Sequence, residues 1–215
     1  MPMGADLPEA APPSAVGSVD SSRALAELER ARSAIHGPAL ADHYLALLRD
    51  NPRALYRDGG PRHLTASAIV IDGPAEQVAL VWHLKGRFWV QPGGHLEDDE
   101  TSLETAARRE VSEEIGIDDL ETVGQGPAVL NRHGLDAAFG ACREHWDVQY
   151  LFRAPAPASE LPLTVSEESG DVRWVPWPLL GAGPARDSSA LPEGTVPDLA
   201  ENLARLAPYL ARWSD

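Results

Sequence analysis

The stretch Ser102–Ile115, SLETAARREVSEEI, constrains the fold of this chain more than any other. Ala107, Val111 and Ile115 recur at i, i+4 and i+8, the spacing of one apolar stripe on an α-helix. Gly116 follows directly, in the position a helix C-cap favours, and the pair Gly93–Gly94 precedes the helix across a short acidic loop. Each helical residue turns about 100°, so Glu114 lies about 40° to one side of Glu110 and Glu113 about 60° to the other. Three carboxylates therefore share the face beside the stripe. Like charges at that spacing repel, so the face either is solvated or holds something cationic.

The rest of the chain supplies the surface this helix packs on. HLTASAIVID and QVALVWH are short, apolar and β-rich, with GPAE between them as a hairpin turn. RFWVQ reads as a third strand running into the glycine pair, and further strands are expected at Ala128–Arg132, WDVQYLFRA and DVRWV. Two helices precede the sheet, Ser22 to about Ile35 and Leu40 to Leu48. A last helix after Thr195–Asp198 sets Leu199, Leu203, Leu206 and Leu210 on one face, with Pro208 expected to kink it. A sheet with one central helix and helices at both ends is an α+β class fold. Residues 1–21, rich in Pro, Ala and Ser, read as a disordered tail rather than a signal peptide, since they lack a basic start and an apolar core. Residues 22–62 are expected as a helical N-terminal extension, and 63–215 as the main domain, including its C-terminal helix.

Composition narrows the function. With 18 basic and 33 acidic residues the formal charge is −15, a surface that repels a phosphate backbone, so no nucleic-acid polymer is expected as partner. No apolar run approaches the roughly 20 residues of a membrane span. The lone Cys142 excludes an internal disulfide, fits a reducing cytoplasm, and is expected as a small half-buried apolar residue. An acidic surface still admits a small phosphorylated ligand when a divalent cation neutralises carboxylates and phosphates together. Oxygen-rich clusters such as Glu110, Glu113 and Glu114 suit hard cations, Mg²⁺ or Mn²⁺.

The segment resembles the Nudix box, G-x5-E-x7-R-E-U-x-E-E-x-G-U with U apolar. Gly94 and Glu100 match its first spacing, and Arg109, Glu110, Val111, Glu113, Glu114, Gly116 and Ile117 match its second half. Eight residues rather than seven separate Glu100 from Arg109. Counting seven would set Arg108 and Arg109 on the Arg-Glu pair, so the extra residue is placed in the EDDETS loop, where length costs little. The resemblance covers roughly residues 63–180. It implies a Nudix-like α/β/α sandwich with a mixed sheet, and metal-dependent hydrolysis of a diphosphate linked to another moiety, by water attack on phosphorus.

Position by position, the resemblance implies Glu110, Glu113 and Glu114 as metal ligands, helped by the Gly94 carbonyl, with Arg109 orienting a carboxylate. The general base would be Glu113, Glu114, or a later carboxylate, Glu167 or Glu168. Substrate contacts are expected among His95, Trp89, Arg87, Lys85, His133, His145, Trp146, Asp147 and Glu168; each has an ordinary structural alternative. Six tryptophans are many for this length, and one is expected to stack on a base while the others pack in the core. Two other functions fit the fold: a ligand-binding module without turnover, and an isoprenyl diphosphate isomerase, disfavoured because Cys142 lies outside the box. The leucine face of the first helix is expected to be exposed, available to a homodimer or a lid.

Overall fold

In a computed structural model the described residues are 20–32, 38–135, 141–167, 169–176 and 191–210. The chain opens with α1 (Ser22–Ala31) and α2 (Pro38–Asp50), the latter starting on a proline, whose missing N–H costs nothing in a first turn. Two short 3₁₀ turns lead to β1 (Arg62–Ile71), then β2 (Gln77–His83), β3 (Phe88–Val90) and β4 (Gly93–Gly94). The central helix α3 (Leu103–Ile115) follows, and then β5 (Glu121–Thr122), β6 (Val129–Gly134), β7 (Glu144–Arg153), β8 (Ser169–Pro176) and α4 (Leu199–Leu210).

These strands make one mixed sheet in the order β3-β2-β1-β7-β5, with β4 also on β1, β6 on β7 and β8 on β2. Its spine is the parallel pair β1–β7, in register from Arg62↔Glu144 to Ile71↔Arg153. Both strands are buried on both faces, so each reads as a nearly continuous apolar run. Period-two alternation still sorts their side chains. Ala66, Ala68, Val70, Val148, Tyr150 and Phe152 face the core shared with α1, α2 and α3. Ile69, Ile71 and Leu151 face the second core, which Leu199, Leu203 and Leu206 of α4 complete. Helices thus cover both faces, the expected α/β/α sandwich.

The N-terminal helices are part of the first core. Leu28, Tyr44, Leu45 and Leu48 are fully buried in it and Leu25 is half-buried against it. The expectation of an exposed leucine face on α1 is therefore corrected: the sheet and α3 offer that stripe an apolar surface, and burying it outweighs leaving it in water. Glu27, 3% exposed, adds a polar link by accepting hydrogen bonds from the Ser102 hydroxyl (2.7 Å) and the Leu103 N–H (2.6 Å). It neutralises donors that the first turn of α3 leaves without helical partners, where negative charge also suits the helix dipole. Ser102 caps the same turn, its hydroxyl accepting from the Thr105 N–H at 3.2 Å.

The two-residue β4 and β5, and the parallel register of β1 with β7, have no counterpart in the periodicity; all three depend on partners remote in sequence. The C-terminal helix runs to Leu210 without a break at Pro208. The expected helix end near Ile35, Glu168, Trp177, Trp213 and the tail residues 1–19 lie outside the described residues.

Candidate active site

The carboxylate face of α3 is turned inward. Glu110 and Glu114 point toward β4, where the backbone packs too closely for a side chain at Gly93 and where one at Gly94 would push the Glu110 carboxylate aside. A Cβ at Gly94 would stand 2.5 Å from Glu110 Oε1, and one at Gly93 would stand 2.2 Å from the Ser67 Cβ. The Gly93 N–H donates to Glu114 Oε2 at 2.8 Å, and Glu114 is only 9% exposed. The Glu110 side chain is 13% exposed and that of Glu113 55%, so the triad grades from buried to open along one helix face. At the far end Gly116 takes the left-handed conformation (φ 76°) and donates to the Ser112 carbonyl, closing the helix directly after the triad.

Arg109 ties the group together. Its guanidinium meets Glu100 through two nitrogens (3.0 and 3.1 Å), Glu110 at 3.0 Å and Glu113 at 2.8 Å, and donates to the His95 carbonyl at 2.8 Å. Burial opposes its charge, but the Glu100 hydrogen bonds and the charges of Glu110, Glu100 and Glu113 outweigh that, so it is held firmly protonated. This geometry settles the register around the extra residue. Glu100 reaches Arg109 across the longer loop, and that loop is held by the Glu97 N–H on Glu100 Oε2 (2.9 Å) and the Tyr56 hydroxyl on the Glu100 carbonyl (3.0 Å). Arg108 turns the other way, to Glu104, the Leu120 carbonyl and the ring of Phe152.

The family model of the NUDIX domain matches residues 61–193, more than half of the chain. The chain belongs to the NUDIX domain family. Among solved structures, a NUDIX-family hydrolase from Clostridium perfringens superposes with a TM-score of 0.53 at 17% identity, covering 69% of this chain and 98% of its own. An Ap4A hydrolase from C. elegans gives a TM-score of 0.50 at 15% identity, with the same 69% and 98% coverage. At such identities the likeness speaks for the NUDIX fold. Among curated proteins no sequence matches the chain.

Of the outlying site expectations on this NUDIX frame, Asp147 is buried at the centre of a polar network. It accepts from Thr65 (2.9 Å), Ser67 (2.6 Å) and Gln149 (2.9 Å), and Gln91 approaches at 3.4 Å. Ser67 and Gln91 flank Gly93, so this network supports the backbone that Glu114 holds. Trp89 is buried, edge-on to Trp82 and covered by Arg173. Exposed Arg87 sits in the β2–β3 turn with positive φ (56°), and Lys85 is exposed in the same turn. Trp146 is buried against Tyr44, and Glu167 is exposed just before β8. A cavity of about 550 Å³ opens between α2, Gly59–Arg62, Arg132 and Trp146; no α3 carboxylate lines it.

His95 and His145 meet in one place, together with His63 and with His133 at its rim. The His95–His145 centroids are 4.9 Å apart, His63–His145 5.2 Å and His133–His145 5.6 Å. Burial, then the neighbouring histidines, pull His145 down to about 3 and His95 to about 4, and burial lowers His63. All three rings are neutral at pH 7. The buried Cys142 completes the group. His63 and Cys142 were not expected here: His63 reads as the plain start of a strand, and only the β1–β7 pairing sets it opposite His145.

Proposed function

We propose that the protein is a divalent-metal-dependent pyrophosphohydrolase acting on a small nucleoside diphosphate derivative. The observation that carries this reading is the inward carboxylate face, Glu110 and Glu114 against Gly93–Gly94, with Arg109 holding Glu100, Glu110 and Glu113. Family membership supports it. Its donor set is entirely oxygen, the chemistry of Mg²⁺ or Mn²⁺, and the missing Cβ of Gly94 leaves room beside Glu110.

Glu110, Glu113 and Glu114 would hold the cation, which when bound polarises phosphate oxygens and lowers the pKa of an attacking water. The Gly93 N–H fixes the Glu114 carboxylate, and Arg109 sets the Glu110 and Glu113 side chains relative to the helix axis. Exposed Glu113 is the member of the triad best placed to accept the proton of a water arriving from solvent. Water adds to phosphorus, the bridging P–O bond breaks, and two phosphate-bearing products leave. The substrate contacts expected of His95, His133 and His145 are not retained in this reading, because their rings turn toward one another.

The test is a substrate panel of nucleoside triphosphates, ADP-ribose, dinucleoside polyphosphates and nucleotide sugars, assayed with and without Mg²⁺ or Mn²⁺. Turnover only with metal is the expected result. Metal binding without turnover on any member would favour a ligand-binding module, and neither binding nor turnover would end the proposal.

A further inference from the structure

We propose that His63, His95, Cys142 and His145 form a closed site for a tetrahedral transition-metal ion of the zinc class, separate from the carboxylate face of α3. Four segments converge to build it: the start of β1, the residue after β4, the approach to β7, and the second residue of β7. Each side chain offers one ligand atom, and the four atoms lie within 4.8 Å of one another. Nitrogen and sulfur donors select zinc-like ions over Mg²⁺, and three histidines with one cysteine make a complete tetrahedral set with no position left for water.

The placement of protons points the same way. His63 Nδ1 stands 2.8 Å from the Gly60 carbonyl oxygen, which can only accept, so Nδ1 carries the hydrogen and Nε2 presents a lone pair. A backbone carbonyl on the remote ring nitrogen is how ligating histidines are usually oriented. His95 Nε2 stands 3.1 Å from His63 Nε2, and at most one proton lies between them. His145 Nε2 is buried with no hydrogen-bond partner among the described residues. A hydrogen-bonded histidine core would need a partner for that atom; a metal ion provides one. With Zn–N near 2.05 Å and Zn–S near 2.3 Å, tetrahedral donors stand roughly 3.3–3.7 Å apart. The His63–His95 pair is close to that, and the widest separation closes with a shift of about 1 Å, within reach of side-chain rotation.

The site braces the catalytic loop. The ring of His95 belongs to the cluster while its carbonyl accepts from Arg109, so an ion there fixes the backbone directly after Gly94.

The whole 215-residue chain without a tag, loaded with Zn²⁺ and dialysed against excess Mg²⁺, is expected to retain one zinc per chain and to melt higher than the chelated form. Cobalt replacement is expected to give the visible bands of a tetrahedral ion and a near-ultraviolet thiolate-to-cobalt charge-transfer band. Cys142→Ser should abolish that band and weaken cobalt binding at least about tenfold, and His145→Gln should weaken it comparably. Glu114→Gln should leave the spectrum intact even where it removes hydrolysis, so this proposal and the hydrolase reading fail separately. Folded wild-type protein that retains no zinc, a cobalt spectrum indifferent to Cys142→Ser, or one lost in Glu114→Gln would each overturn it.

Discussion

The two clusters that meet at His95 make opposite uses of polar side chains. On α3, oxygen donors are graded from buried Glu114 to exposed Glu113; Arg109 positions Glu110 and Glu113 by charge, and the Gly93 N–H holds Glu114. Across the His95 backbone, nitrogen and sulfur donors gather where the ends of β1, β4 and β7 meet, and a backbone carbonyl orients His63 among them. The first arrangement keeps an open side, which chemistry on a phosphate requires. The second is more enclosed, with His63 and Cys142 buried and His95 and His145 half-buried, which suits a fixed structural ion. A hard and a soft site can therefore sit on either side of one loop residue without competing for the same metal.

That contrast breaks most sharply at Glu114. Glu114→Gln should reduce metal-dependent turnover by about 10²–10⁴-fold, with the far-ultraviolet circular dichroism and cobalt spectrum of wild type; a near-wild-type rate would show that the carboxylate face is not the reacting centre. Glu100→Gln weakens the support of Arg109 and the Glu97 N–H contact of the same loop, and its expected effect is about 10–100-fold in metal affinity or rate, read by titrating Mn²⁺ against activity. An effect as large as that of Glu114→Gln would promote Glu100 to a direct role.

Glu27→Ala removes the acceptor from the Ser102 hydroxyl and the Leu103 N–H without touching either cluster. Urea unfolding should show a loss of about 1–3 kcal/mol, while turnover per folded molecule stays near wild type. The smallest expected effect is Arg87→Ala, in an exposed turn: within about 0.5 kcal/mol in stability and no measurable change in turnover. A clear rise in KM there would instead bring the β2–β3 turn to the substrate.

The periodicities of the chain foretold much of this molecule. The apolar stripe of α3, the β2 segment and the glycines around the box are local signals, and the helix and turn they imply are present. Arg109 and the triad are close in sequence, so helical geometry alone gathers them. The histidine cluster is different in kind. His63 and His145 come together through a parallel pairing between strands distant in the chain, and a lone cysteine carries no spacing to read. Glu27 was illegible for the same reason: an acidic residue on an amphipathic helix looks solvated until the helix it caps is placed against it. The register of Glu100 needed the folded loop, because sequence alone offered both Arg108 and Arg109 as its partner.

The burial of Glu27 and of the leucines in α1 and α2 has a consequence for where this protein can be cut. The family segment begins at residue 61, yet Leu28, Tyr44, Leu45 and Leu48 lie before that point and fill the sheet face that α3 also covers. A fragment starting there would leave a wide greasy floor open to water and the first turn of α3 without its acidic stopper. The smallest piece expected to stay monodisperse in solution begins at or before Asp20, so the unit that folds is longer than the unit that defines the family.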